Sequence, residues 1–202
     1  MTDKTHIIQN VLRANAYKLL AELFKYPDKR FNEIREKFNE TFSELDPELG
    51  NIAKRLTECI SPEELNMQES QVEYARLFIG PQHLEAPPYG SVYLDELGLV
   101  MGESTRDVIE YYLKAGLDPS DENKEPPDHI STELEFMYFL LYNAAAKDDM
   151  TMSKLGDSFV TNHLSRWIPS FADKIIAATD HRLYSELGLL LKKFIDLEVK
   201  PD

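Results

Sequence analysis

One cysteine among 202 residues, Cys59, is too few for a disulfide framework, and it cannot build a thiolate zinc site alone. Such scarcity suits a reducing compartment. Cationic charge is short as well: 22 Lys and Arg stand against 36 Asp and Glu, a formal net charge of −14. Nucleic acid and anionic lipid both require a basic footprint, so neither is expected as the main partner. A cationic partner, or solubility alone, fits the sign better. Long hydrophobic runs are missing too. The best candidate, Phe136 to Ala146, is shorter than a membrane span and contains Asn143. Met1 to Asn10 is polar and holds no apolar segment ending in a cleavage site. The expectation is a cytoplasmic protein with no stable membrane insertion.

Period-2 alternation bounded by turn residues is absent, so no strand is expected. Helical spacing takes its place. Ile7, Ile8, Val11, Leu12, Leu19, Leu20, Leu23 and Phe24 share one face, and Pro27 ends the pattern. Leu45, Leu49, Ile52, Leu56, Cys59 and Ile60 repeat it and place Cys59 on an apolar face, as a buried and inert thiol. Ser61-Pro62-Glu63-Glu64 reads as a helix start with a capping box. Further helices are expected from near Ser104 to Ala115, with Gly116 as a left-handed stop, and over about 130–147, 151–164, 171–178 and 183–197. Pro169 marks a break between two of them. With 43% apolar residues a full core is available. The fold class is all-α, a single-domain helical bundle over residues 1–202.

Two stretches interrupt the helices. Gly80 to Gly90 holds three prolines and two glycines, but its apolar and aromatic edges (Leu77, Phe78, Leu84, Tyr89, Tyr93) favour an ordered loop over a linker. Asp118 to Asp128 holds five acidic residues, one lysine and three prolines, and reads as a mobile acidic connection within the domain.

Catalytic signatures are missing. There is no Glu-x-x-His and no His-x-x-x-His, and His129 with Glu133 supplies two ligands at most, so no metal is expected. Gly98 to Thr105 has a superficial likeness to a phosphate loop, but its spacing is short by one and Glu103 occupies the lysine position. A turn followed by a helix cap at Ser104 explains it better. No Gly-x-Ser-x-Gly occurs. Neither an enzyme nor a cofactor is implied. What remains is a binding surface. Asp128, at the head of a helix, can cap it; His129 beside it is partly buried, or is held protonated, or donates a hydrogen bond to a partner. Glu125, Asp128 and Glu133 together could form an anionic patch for a guanidinium.

The run Tyr74-x-Arg76-Leu77-Phe78-x-Gly80-Pro81-x-x-Leu84-x-Ala86-Pro87-Pro88-Tyr89-Gly90-Ser91-Val92-Tyr93-Leu94-Asp95 resembles the signature of the TorD/DmsD family of redox-enzyme maturation chaperones. Gly102-Glu103-Ser104-Thr105, Tyr111-Tyr112-x-x-Ala115-Gly116-Leu117, Glu125-Pro126-Pro127-Asp128-His129 and Glu133-Leu134-x-Phe136-Met137 continue the resemblance, which is strong over about residues 72–142. It implies a helical bundle without enzymatic activity. Its partner would be the twin-arginine leader, and so the precursor, of a molybdopterin oxidoreductase, held in the cytoplasm while the client's cofactor is inserted and export is delayed. The peptide-binding residues it implies are Tyr74, Leu77, Phe78, Pro88, Tyr89, Glu125, Asp128 and His129. Tyr74 and Tyr89 stand where DmsD-like members often carry Trp, and Gln82 replaces a further aromatic. Relatives also allow a NarJ-like assembly chaperone for a non-exported client, and a monomer or a swapped dimer; a helical scaffold without a peptide groove is the reading outside this function.

Overall fold

The computed structural model describes residues 2–80, 84–118, 125–147 and 149–199. Pro81, Gln82 and His83 of the proline-rich loop and residues 119–124 of the acidic connection lie outside the described residues. The fold is all-α: α1 (Thr2–Leu23), α2 (Arg30–Leu45), α3 (Pro47–Cys59), α4 (Met67–Tyr74), α5 (Ser91–Leu94), α6 (Glu103–Lys114), α7 (Ile130–Lys147), α8 (Met150–Phe159), α9 (Ser165–Ala178) and α10 (Arg182–Val199). A π turn, Ala75–Ile79, extends α4, and a second, Val160–Leu164, joins α8 to α9. Among the described residues the only β pairing is an isolated antiparallel bridge between Tyr89 and His129.

The chain forms two compact units, Met1–Ala21 with Tyr89–Trp167 and Glu22–Pro88 with Ile168–Asp202. The first is built around α7, whose Ile130, Leu134, Met137, Leu140 and Leu141 are wholly buried. Gly156 of α8 faces α7, where a Cβ would make ordinary contact with the Met137 methyl at 3.4 Å. Phe136 packs edge-on against Tyr112 of α6 and Phe159 of α8, with ring centroids 4.6 and 5.2 Å apart. In the second unit α2, α3 and α10 pack around Phe38, Phe42 and Phe194. A Cβ on Gly50 would come within 2.9 Å of the Ser43 Cα, so only glycine allows α2 and α3 this contact.

Caps set several boundaries. The Asp46 carboxylate accepts from the Glu48 and Leu49 amides ahead of Pro47, and Asp149 does the same for Thr151 and Met152. Gly116, at φ 78°, stops α6 as expected. Three expectations differ from the structure. Ser61 to Glu64 forms a single turn: the Ser61 hydroxyl accepts from the Glu64 amide at 3.3 Å, but the helix starts six residues later at Met67, capped by Asn66. Asparagine is as strong a cap as serine and stands next to the residues that continue the helix. Pro169 lies inside α9 instead of breaking it. At the fifth position it lacks the amide that would bond the Ser165 carbonyl, and the irregularity falls upstream at the Val160–Leu164 π turn. Helix α2 was not anticipated, although Phe31, Ile34, Phe38, Phe42 and Leu45 follow the three-and-four spacing as a narrow stripe among charged residues.

Candidate functional site

In the first unit, Pro126-Pro127-Asp128-His129 makes a tight turn into α7, with the His129 amide donating to the Pro126 carbonyl at 3.1 Å. The turn delivers Asp128 to the segment Tyr89–Ser91. The Asp128 carbonyl accepts from the Gly90 amide and its Oδ2 from the Ser91 amide, both at 2.9 Å. Asp128 is completely buried, and its Oδ1 has no hydrogen-bond partner among the described residues. The aspartate therefore works as a clamp on the loop and is closed to solvent.

His129 is buried beside it. The Ser131 amide donates to His129 Nδ1 at 3.2 Å, which makes Nδ1 an acceptor and leaves the proton on Nε2. Burial pushes the ring down to about 4, against the modest upward pull of Asp128. His129 is neutral at physiological pH, not the cation that its aspartate neighbour suggests. Its ring meets Tyr89 edge-on at 5.3 Å.

One turn further into α7, Glu133 is wholly buried and sits between two donors. His163 Nε2 lies 2.6 Å from Oε1, and Trp167 Nε1 donates to Oε2 at 3.0 Å. Burial raises the Glu133 carboxyl above its usual range. In His163 burial acts downward, and the charge and hydrogen bond of Glu133 outweigh it, so the ring holds its proton more firmly than in water. The π turn Val160–Leu164 carries His163, whose ring also stacks on Phe159 at 4.9 Å. A Cβ on Gly90 would touch Glu133 Oε1 and the Trp167 indole at 3.4 Å, and Tyr93 lies over that indole at 5.7 Å. The segment 89–93, the turn into α5, is thus seated on a buried acid–histidine–tryptophan network. Glu133 is no part of an exposed anionic patch.

Among the residues proposed from sequence, Tyr89, Asp128 and His129 come together in this unit, with Tyr89 half-buried and Glu125 exposed. Tyr74, Leu77, Phe78 and Pro88 belong to the second unit and are buried. The Tyr74 hydroxyl donates to the Phe24 carbonyl at 2.9 Å. Phe78 packs against Tyr74, Tyr184 and Phe24, with centroids 5.0, 5.8 and 6.1 Å apart. The Leu77 carbonyl accepts from the Ala86 amide at 3.0 Å and so pins the loop that leads to Pro88. Sequence reasoning missed His163, Trp167 and Gly90. Glu133 gave one usable signal, an acid within the buried face of α7, but its partners lie 30 and 34 residues away.

Among the described residues no group of three or more His, Cys, Asp or Glu side chains is arranged to hold a metal ion, and no helix is long and apolar enough to cross a membrane. Cys59 is half-buried, its Sγ 3.2 Å from the Arg55 carbonyl, and burial pushes the thiol up.

Residues 42–173 match the sequence model of the nitrate reductase delta subunit family. The chain is similar to the chaperone protein TorD of Aliivibrio fischeri, 28% identical over 76% of this chain and 75% of the relative. A TorD of Vibrio cholerae is 30% identical over 73% of this chain and 70% of its own length. The Tat proofreading chaperone DmsD of Salmonella typhi is 31% identical, over 59% of this chain and 55% of the relative. Among solved structures, a proposed redox enzyme maturation protein from Archaeoglobus fulgidus aligns over 91% of this chain and 93% of its own, with a TM-score of 0.58 and 25% identity.

Proposed function

The chain belongs to the TorD/DmsD family of redox-enzyme maturation proteins, and on that premise we propose that it is a cytoplasmic chaperone for the twin-arginine leader of a molybdopterin oxidoreductase. It holds the precursor while the client's cofactor is inserted and delays export until then. Its relatives are named as chaperones and not as catalysts. The observation that carries the reading is the segment 89–93, the turn into α5, bonded to Asp128 and seated on the Glu133–His163–Trp167 network, with Tyr89 half-buried at its head.

In this reading Tyr89 and Glu125 meet the peptide, and Asp128 and His129 act by setting the loop. Tyr74, Leu77, Phe78 and Pro88 act by fixing residues 84–88 in the second unit. A leader is cationic and then apolar; a chain of net charge −14 attracts it, with charge steering encounter and apolar contact supplying most of the affinity. The test is affinity capture of the tagged protein from anaerobically grown cells of its own species, with bound proteins identified by mass spectrometry. Enrichment of one molybdoenzyme precursor with its leader attached supports the reading, and loss of that precursor with Tyr89→Ala places the loop in the contact. Recovery of no oxidoreductase under conditions that express one contradicts it.

The match to the nitrate reductase delta subunit family favours a second reading, an assembly chaperone for a client that is not exported. The same capture separates the two, since that client carries no paired arginines.

A further inference from the structure

The segment between α5 and α6 presents apolar side chains outward. Leu97 is 81% exposed, Leu99 60%, Val100 42% and Met101 58%. Scattered exposed leucines are ordinary, but four within five consecutive residues form a patch. The patch is built by defined contacts. The Asp95 carboxylate accepts from the Ser104 amide at 3.2 Å and closes the loop's base, and the Gly98 amide donates to the Asp95 carbonyl at 3.1 Å. A Cβ on Gly102 would overlap Asp95 Oδ2, so glycine is required there for the carboxylate to reach Ser104. Met101 adopts φ 63°, a left-handed conformation that a non-glycine side chain enters at a cost. A backbone held under strain while it presents four apolar side chains to water has a use in that form.

We propose that Leu97–Met101 is a docking surface for the apolar stretch of a peptide whose other end is cationic. The proposal rests on the leader-binding reading and names where the uncharged part of that leader lies. Charge selects this occupant. The loop is preceded by exposed Glu96 and followed in α6 by exposed Glu103, Arg106 and Asp107, an acidic excess, while Glu110 further along is paired with Lys114 at 3.7 Å. Anionic lipid is repelled by such a rim, and a second copy of a −14 chain is disfavoured by self-repulsion. A basic, apolar peptide meets both features, and Met101 supplies an adaptable surface for varied sequences.

The probes are two synthetic peptides, one with an Arg-Arg pair followed by a Leu/Ala run and one with that run replaced by Ser and Gly. Binding is measured by calorimetry to the wild-type protein, to L97S/L99S/M101S and to Leu97→Ser alone. All three side chains are exposed, so thermal unfolding of the variants should match wild type. The expected result is that the triple variant binds the Leu/Ala peptide at least about tenfold more weakly, with Leu97→Ser intermediate, and that none of the three proteins binds the Ser/Gly peptide tightly. Equal binding of the Leu/Ala peptide to wild type and triple variant overturns the docking surface and leaves the leader reading standing. No binding of either peptide to wild type overturns both. Capture of phosphatidylglycerol vesicles by wild type and not by the triple variant overturns the peptide in favour of a membrane.

Discussion

Asp128 reads in sequence as a helix cap or as part of an anionic patch for a guanidinium, with a partly exposed His129 beside it, and the structure gives each an internal task. Asp128 satisfies two backbone donors of the loop, so Asp128→Ala orphans the buried Ser91 amide. That variant should lose about 1–3 kcal/mol of stability, read as a lower denaturant midpoint, whereas Asp128→Asn keeps an acceptor and should lose less. An unchanged midpoint for Asp128→Ala would return the residue to the surface role. His129 carries a pH signature. Its ring is held near 4 in the folded chain against 6.5 in the unfolded one. Between those values the unfolded chain binds a proton that the folded chain refuses. The His129 contribution is therefore complete above about pH 6.5 and is lost as pH falls toward 4, by roughly 3 kcal/mol in all. Urea unfolding across that window should show a steeper acid loss for wild type than for His129→Asn. The identity of the pair and the partial burial of His129 were legible in the sequence, and the complete closure of Asp128 was not. Burial depends on the Gly90 and Ser91 amides, some 37 residues earlier in the chain, coming to meet it.

At the scale of the element, helices with a broad apolar face were readable and the sparse or irregular ones were not. α7 and α6 appear with nearly the expected bounds because their apolar spacing and the Gly116 stop agree. α2 escaped because much of its sequence is charged, and the Ser61 start failed because a cap signal one turn long competes with Asn66. The π turn at Val160–Leu164 has only Pro169, a few residues downstream, as a local mark, and it carries His163 to Glu133. Leu134, wholly buried on α7, tests the direction in which that helix faces. Leu134→Asp places an unpaired charge in the core of the first unit and should abolish cooperative unfolding at ordinary temperature. A stable, cooperatively folding Leu134→Asp would mean that the buried face of α7 is assigned wrongly. Gentler changes at the same site, such as Leu134→Met, should cost less than about 1.5 kcal/mol because volume is conserved.

For the whole molecule, the excess of 36 acidic over 22 basic residues is the feature that composition alone made visible. It predicts that association with a cationic leader slows as salt rises from about 0.05 to 0.5 M, with dissociation nearly unaffected, in stopped-flow measurements. A salt-independent association rate would leave the charge to solubility. The single tryptophan, Trp167, lies against Gly90, Tyr93 and Glu133 and gives the same experiment an intrinsic signal from the seated loop. The central claim is that the leader, and not the mature client, is what the chaperone holds. It is tested most directly by co-purifying the captured oxidoreductase with this protein in two forms, full precursor and precursor with the leader deleted. Retention of the full precursor and loss of the leaderless form is the predicted result. Equal retention of both would contradict the claim and would move the contact onto the folded client.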